Sequence, residues 1–248
     1  MTNMKNFKGK IYCFSPEVML LTFLFETISA GIAFWKYKIN DTAKLLIAVL
    51  LALAGFQMAE FMVCGGFGWK GVEWARFGYI SITLLPPLGL HLAHKIAGVQ
   101  SGKMVKIAYA TMFAFIAYYV LATNGVSEEA CRANYSVFNV PQITSWIYAV
   151  YYYGWLLYAL YFGYQQISIF KKQLSKKIFS KSELSKKISA IKWLMLGYLS
   201  FIVPTTFVNI VNPATIEGIP SIMCGFAVIL AIILVGFVAP RTLELKKK

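Results

Sequence analysis

Two glutamates lie within long apolar stretches of the sequence, where a charged residue is unusual. Glu26 follows Phe23, Leu24 and Phe25, and Glu60 lies among Phe, Met and Ala residues. A carboxylate in hydrocarbon is costly unless it is paired, protonated or exposed to water. Each glutamate therefore indicates either a functional site or a structural hydrogen bond between helices, and the sequence leaves both interpretations open.

The surroundings of the two glutamates differ along the chain. Glu26 shares a helical face with small residues at spacings of three, four and seven, namely Thr22, Ser29, Ala30 and Ala33. Such a face is expected to pack against other helices. Glu60 shares a face with Gln57 and Cys64 and lies within about one helical turn of the membrane surface. Water is expected to reach Glu60 there, which favours a structural role for it.

We expect side chains from four segments to line a pocket open to the outside of the membrane. The predicted ligand-binding residues are Glu26, Gln57, Glu60, Arg76, Tyr79 and Asn209. Nine Tyr and Trp residues between 146 and 164 can add an aromatic wall for a flat or cationic ligand, although packing and interfacial anchoring explain them as well.

One apolar segment holds both histidines of the chain and a pair of prolines. His91 and His94 lie three residues apart on one helical face, which makes them weak candidates for a metal site. No acid or cysteine is expected near them to complete a coordination shell, so a structural pair beside Lys95 is preferred. Pro86 and Pro87 must free one or two carbonyl groups, and the kink is interpreted either as a hinge or as a static bend.

The composition excludes an ordinary soluble domain. Of the 248 residues, 58% are hydrophobic and 14% are charged. Crossing the hydrocarbon core takes about 20 apolar residues, and lipid requires all backbone groups to be paired within helices or closed barrels. The pattern predicts one all-α domain over residues 1–248, a bundle of seven transmembrane helices near 16–36, 43–64, 72–95, 104–123, 142–169, 189–211 and 219–239.

Positive charge predicts the orientation of these helices. In the seven-helix arrangement, 18 of the 24 Lys and Arg residues fall on one side, and that side is expected to be cytoplasmic. The N-terminus is then outside and the C-terminus inside. The net charge of +14 does not indicate nucleic-acid binding, because it is concentrated along one membrane face. The loop at 171–192, with eight lysines, is interpreted as a binding segment for anionic lipid headgroups or as a solvated inner loop.

The four cysteines fall on or near the outer side in this arrangement. They are Cys13, Cys64, Cys131 and Cys224. Four thiols allow three pairings, of which Cys64 with Cys131 is expected to be the least strained, and four free cysteines are an equal alternative. No CxxC spacing occurs in the sequence, so a redox or structural zinc motif is not predicted.

The stretch ARFGYISITLLPPLGLHLAHKIAG resembles the seven-helix sensory region found at the N-terminus of many bacterial histidine kinases and diguanylate cyclases. The match covers about residues 72–96 and depends on Arg76, Gly78, Tyr79, Pro86 and Pro87. The resemblance implies a sensor in a prokaryotic plasma membrane. In that family a kinase or cyclase domain follows the seventh helix, whereas this sequence ends at Lys248, so a separate signalling protein is the expected output partner.

A weaker resemblance involves Cys13, Phe14 and Ser15 together with Gln57 and Glu60. These residues look like part of an uncharacterised group of multi-pass membrane proteins that begin Met-Cys-Phe-Ser. This resemblance implies no activity.

These observations together predict a receptor-like or sensory membrane protein with an outward-facing ligand pocket. The alternatives are a small proton-coupled or solute transporter that uses Glu26, and a structural subunit of a membrane complex. An enzyme is not expected, because no nucleophile with its base, metal triad or phosphate loop can be assembled from these residues. The sequence names no cofactor.

Overall fold

Seven long helices make up most of the part of the chain that the computed structural model describes, which is residues 16–65, 71–122, 125–126, 129–131, 136–138, 140–175 and 181–246. The helices are α1 (Pro16–Lys36), α2 (Asp41–Gly65), α3 (Gly71–Ala97), α4 (Lys103–Leu121), α5 (Gln142–Ser175), α6 (Lys181–Val211) and α7 (Ile219–Ile233). A π turn (Leu234–Val238) joins α7 to the short helix α8 (Ala239–Thr242). The predicted all-α class is confirmed for these residues, with one short hairpin added to the helices.

Five of the helices are long and apolar enough to cross a membrane: α1, α2, α4, α6 and the continuous helical stretch Ile219–Thr242. Many large apolar side chains point away from the bundle, among them Trp35, Leu121, Ile143 and Val150, as expected for helices in contact with lipid. The chain is therefore a multi-pass helical membrane protein. Both α3 and α5 are long enough to span but more polar, so the count of seven spans and the orientation stay predictions.

The observed bounds lie within a few residues of the predicted ones, with two exceptions. First, α5 continues to Ser175 and α6 begins at Lys181, so the lysine-rich segment extends both helices beyond their apolar parts. Second, the predicted outer loop between α4 and α5 contains an antiparallel hairpin, β1 (Glu129–Cys131) and β2 (Ser136–Phe138). Sequence periodicity misses strands of three residues, because so short a run shows no clear alternation.

Small residues set the spacing of α2 and α3, the most extensive helix pair in the bundle. A methyl group added at Gly55 would lie 2.8 Å from Ser81 Oγ, and one at Gly78 would lie 3.1 Å from Ala59 Cβ. Small side chains permit such close approach of helix backbones. Gly78, which contributes to the family resemblance, therefore has a packing role in this fold.

A neighbouring helix donates a hydrogen bond to a carbonyl group that the double proline in α3 leaves free. Pro87 removes the hydrogen bond that the carbonyl of Thr83, four residues earlier, would otherwise accept. The hydroxyl of Tyr151 in α5 donates to that Thr83 oxygen at 2.7 Å, and Tyr148 contacts the Thr83 hydroxyl at 3.1 Å. These bonds anchor α5 to the kink, which supports a static bend at Pro87.

The bundle has two different ends. The hairpin end contains β1, β2 and the 3-10 turn Pro213–Gly218, which contacts β2. The lysine-rich end contains the α1–α2 turn, the C-terminus of α3 and the tail after α8. At that end α3 stops in a Schellman motif, in which Gly98 has a φ of 71° and Val99 N–H donates to the His94 carbonyl at 3.0 Å.

The tail after α8 is fastened to the α1–α2 turn. Leu245 forms an isolated antiparallel bridge with Tyr37, and Lys38 pairs with Glu244 at 2.7 Å. The N-terminus of α2 is capped by Asn40, whose Oδ1 accepts from Ala43 N–H at 2.9 Å. The C-terminus of α1, the N-terminus of α2 and the tail after α8 are thereby held together.

Candidate ligand-binding site

Glu26 lies in the middle of α1 and faces the bundle interior. Its side chain has 0% relative exposure, and Ser29, Ala30 and Ala33 on the same face are also buried, so the predicted packing face is confirmed. Neither carboxyl oxygen of Glu26 has a hydrogen-bond partner among the described residues. Because unpaired buried acceptors are costly, this carboxyl group is the least satisfied acid in the described bundle.

Gln57 approaches Glu26's helix from α2. Its side chain is 2% exposed, and its Oε1 accepts a hydrogen bond of 3.3 Å from the hydroxyl of Thr22, one turn before Glu26. The amide nitrogen of Gln57 has no partner in the described part of the chain. The interface of α1 and α2 thus holds one unpaired acid and one unpaired amide donor.

Glu60, one turn further along α2, is paired. Its Oε1 accepts from the Ser136 hydroxyl at 2.8 Å, and Ser136 N–H donates to Ser221 Oγ of α7 at 3.0 Å. Glu60 is only 1% exposed. The expectation that water reaches Glu60 is therefore wrong, because strand β2 covers it.

The helices that carry the two acids both meet α7. Helices α1, α2 and α7 contact one another, and Glu26, Glu60 and Cys224 are buried on them. Helices α1, α2 and α7 thus bring their polar residues to one buried place. This group of side chains, Glu26, Gln57, Glu60, Ser221 and Cys224, is called the carboxyl site below.

A plug from the hairpin seals the carboxyl site at its end of the bundle. Ser136 and Phe138 are both buried and lie two positions apart on β2, so they project to the same side of the strand. The Phe138 ring packs edge-on against Phe56 at 5.7 Å and Tyr79 at 6.0 Å. The predicted outward-open pocket is consequently closed in this structure.

Tyr79 belongs to an aromatic cluster beside the plug. Its ring stacks on Tyr119 at 4.8 Å and meets Tyr148 edge-on at 5.6 Å. Tyr148 and Tyr151 continue the cluster from α5. The tyrosines of α5 that face the interior therefore serve packing between α3, α4 and α5.

The other two predicted pocket residues lie nearer the hairpin end. Arg76 is half-buried on α3, one turn before Tyr79. The Asn209 side chain accepts a hydrogen bond of 2.8 Å from the Thr215 hydroxyl, within the 3-10 turn that follows α6. The structure thus brings Glu26, Gln57 and Glu60 together, and it places Tyr79 and Asn209 in separate contacts.

His91 and His94 have different partners. His91 Nδ1 lies 3.0 Å from the Tyr109 hydroxyl, whereas His94 Nδ1 lies 2.9 Å from the Leu90 carbonyl and its ring stacks on Phe162. Asp41, at the start of α2, is the acid within electrostatic range of His91. Its carboxylate binds Lys95 at 2.8 Å. Among the described residues no cluster of three His, Cys, Asp or Glu residues suits a metal ion.

Two cysteines have defined states. Cys64 at the end of α2 is disulfide-bonded, and Cys224 is free. The partner side chain of Cys64 lies outside the described residues. Strand β1, which ends at Cys131, contacts α2, and the bridge from Cys64 to Cys131 stays a prediction.

Sequence reasoning missed the contributions of Ser136, Ser221 and Cys224 to the carboxyl site. Serines are common, and their spacing in the chain gives no signal. Ser136 and Ser221 are 85 positions apart and meet only because the hairpin folds back over α7.

Comparison with family models, with characterised proteins and with solved structures finds no match for this chain. The assignment of a site therefore depends on the geometry of these residues.

Proposed function

We propose that this chain is a receptor-like or sensory membrane protein whose ligand binds at Glu26 and Gln57. The observation that supports the proposal is the carboxyl group of Glu26, which is fully buried with both oxygens unpaired among the described residues. A purely structural acid would be expected to bond to a neighbouring part of the chain, as Glu60 does to Ser136 of β2. A ligand that donates hydrogen bonds supplies the missing partner.

In this proposal the hairpin end faces the outside and the lysine-rich end faces the cytoplasm, in agreement with the distribution of positive charge. The plug of Ser136 and Phe138 moves aside for the ligand to enter. The lysines of α5 and α6 rest on anionic headgroups, and a separate signalling protein or complex subunit reads the change at that end. No catalytic step is assigned to the site.

Native mass spectrometry of the detergent-purified protein tests this proposal. Wild type is compared with Glu26→Gln, Glu60→Gln and, as a matched control, Glu73→Gln, which changes an exposed glutamate at the start of α3. We expect a defined small-molecule adduct on wild type and on the control, and its loss from Glu26→Gln. The isosteric change keeps the shape of the side chain and removes its charge and one acceptor.

The outcomes separate the classes of function. A bare protein in all four samples contradicts a receptor that retains its ligand and favours a structural subunit. An adduct that survives in Glu26→Gln places the ligand elsewhere in the molecule. Loss only from Glu60→Gln would make the paired acid the essential one and would overturn the assignment of Glu26.

A proton-coupled carrier is the second candidate, favoured by the proximity of two buried acids. A carrier would bind a proton at the buried Glu26 and expose this acid alternately to both sides. Proton flux into liposomes containing a pH-sensitive dye, driven by a pH step, tests this. A carrier predicts flux that Glu26→Gln abolishes, and a sensor predicts the same basal leak in both proteins.

A further inference from the structure

Two hydrogen bonds and two aromatic rings hold the side chain of Arg241 in one position. Its Nε donates to Ser189 Oγ of α6 at 3.0 Å, and its Nη1 donates to the Phe237 carbonyl at 2.8 Å. The guanidinium lies 6.0 Å from the centre of the Trp193 ring and 5.8 Å from the centre of the Phe237 ring. These two rings stack on each other at 4.0 Å. The position of this positive charge is therefore set by the fold.

No acid of the described chain neutralises Arg241. Each of the three acids described at the lysine-rich end is already engaged by a lysine. These pairs are Lys38 with Glu244, Lys95 with Asp41 and Lys187 with Glu183. The partners of Arg241 are neutral acceptors, and they use two of the five N–H groups of the guanidinium. The side chain is only half-buried, so its remaining donors can bind an anion from outside the chain.

Arg241 lies at the edge of the apolar part of the bundle. The stretch from 219 to 240, which precedes it, contains no charged residue, and neither does the stretch of α6 from 193 to 211 that follows Lys192. Each stretch has about the 20 residues needed to cross the hydrocarbon core. Arg241 and Lys192 are therefore expected at the level of the lipid phosphates, and Trp193 at the interface where tryptophan is common.

One face of α6 continues from this level as an apolar surface. Lys192, three residues after Ser189, is followed by Leu196, Leu199 and Val203 at spacings of four, three and four, which places them on one side of the helix. All four are exposed. A cation at the headgroup level beside exposed aliphatic side chains matches the chemistry of a lipid, which has a charged phosphate and apolar chains. A soluble anion would use the charge alone.

We infer that Arg241 and Lys192 bind the phosphate of one anionic lipid at the lysine-rich end, with an acyl chain lying along Leu196 and Leu199. The planar guanidinium can donate in parallel to two phosphate oxygens, and the lysine adds a second positive charge. This site goes beyond a general attraction of the lysines for anionic headgroups, because it assigns one phosphate position. It does not depend on a ligand at Glu26.

Thermal unfolding in a neutral detergent tests the site. Dioleoyl phosphatidylglycerol is the anionic probe, and dioleoyl phosphatidylcholine has the same chains without net charge. We expect the anionic lipid to raise the unfolding temperature of wild type more. In Arg241→Gln the apparent affinity for phosphatidylglycerol should fall about tenfold or more, because charge-assisted hydrogen bonds are lost, and Lys192→Gln should lower it less. Lys106→Gln, which removes one exposed cation of α4, is the matched control and should keep the wild-type affinity.

Fluorescence quenching tests the site with Arg241 intact, because Arg241→Gln removes contacts between α8 and α6 and can fail to fold. Phosphatidylglycerol with bromine on its acyl chains is compared with phosphatidylcholine brominated in the same way. The difference between wild type and Trp193→Phe isolates the emission of Trp193. We expect the anionic lipid to quench this emission more strongly than the zwitterionic lipid does.

Four results would overturn the inference. Equal stabilisation of wild type by the two lipids, or an unchanged affinity of folded Arg241→Gln, excludes an anionic lipid at Arg241. Equal quenching of Trp193 by the two brominated lipids excludes it as well. A loss of affinity in Lys106→Gln as large as that in Arg241→Gln would show a diffuse basic surface. Stabilisation by inorganic phosphate at the same concentrations would show that the acyl chains play no part and would assign the position to a soluble anion.

Discussion

The two ends of the helix bundle differ in how their polar groups are paired. At the lysine-rich end Lys38 pairs with Glu244, Lys95 pairs with Asp41 and the Arg241 guanidinium donates to Ser189 and to the Phe237 carbonyl. In the half nearer the hairpin, Glu26 and the Gln57 amide nitrogen are buried without partners in the described chain. Paired groups at one end hold helices and tail together. Unpaired buried groups at the other indicate a site that is completed by something else.

Replacement of Glu26 by an apolar residue gives the largest expected effect and tests this comparison most directly. Glu26→Leu removes a buried carboxyl group that no described residue compensates, so the ligand-free protein should gain about 2 to 3 kcal/mol in its free energy of unfolding. Unfolding in mixed detergent micelles measures this. Glu60→Leu is the matched control, because it strands the Ser136 hydroxyl and should destabilise. Destabilisation by Glu26→Leu would mean that Glu26 is a structural acid.

Arg241 provides the opposite case at the lysine-rich end. Its Nε donates to Ser189 Oγ at 3.0 Å and its Nη1 donates to the Phe237 carbonyl at 2.8 Å, while its guanidinium lies over the Trp193 ring. Arg241→Ala should cost about 1 to 2 kcal/mol of unfolding free energy. Arg241→Lys keeps the charge without the planar fork and should recover only part of it. If Arg241→Ala left the free energy of unfolding unchanged, the contrast between the two ends would be lost.

A substitution in the plug at the hairpin end should change the free energy of unfolding less. Ser136→Ala removes the hydroxyl that donates to Glu60 and leaves the backbone bond from Ser136 N–H to Ser221 in place. We expect a loss of about 1 kcal/mol and faster amide hydrogen exchange confined to β2. Thr206→Ala, which loses an exposed hydroxyl bonded to its own helix, is the control. Uniform exchange rates across the hairpin in both variants would show that Ser136 does not fasten the plug.

The smallest effect is expected for the pH dependence of the tail. Lys38 lowers the pKa of Glu244 by hydrogen bonding and by its charge. The pairing therefore favours the attached tail above the ordinary glutamate pKa of about 4.3, and this contribution is lost as the pH falls through the lower pKa of the attached state. Amide exchange at Leu245 should rise in acid in the wild type. In Glu244→Gln it should already be raised at neutral pH and should lose the acid-dependent step.

Much of the candidate site could be predicted from local spacing. The face of α1 with Ser29, Ala30 and Ala33 follows from helical periodicity, and it places Glu26 inside the bundle as expected. Gln57 and Glu60 lie one turn apart on α2 for the same reason. The covered state of Glu60 could not be predicted, because it depends on a three-residue strand from a distant loop, and no local pattern encodes that contact.

The sequence by itself determined that this is a multi-pass helical membrane protein, because apolar length and the pairing of backbone groups leave few other structures possible. It also determined the helix bounds to within a few residues for most segments. Only the tertiary structure decided which polar residues find partners. The hydroxyl of Tyr151 satisfies the carbonyl freed by Pro87, and Ser136 satisfies Glu60, whereas Glu26 is left unpaired. The physical reason is that hydrogen bonding is short-ranged and directional, so partners are chosen by packing between distant segments and not by spacing along one helix.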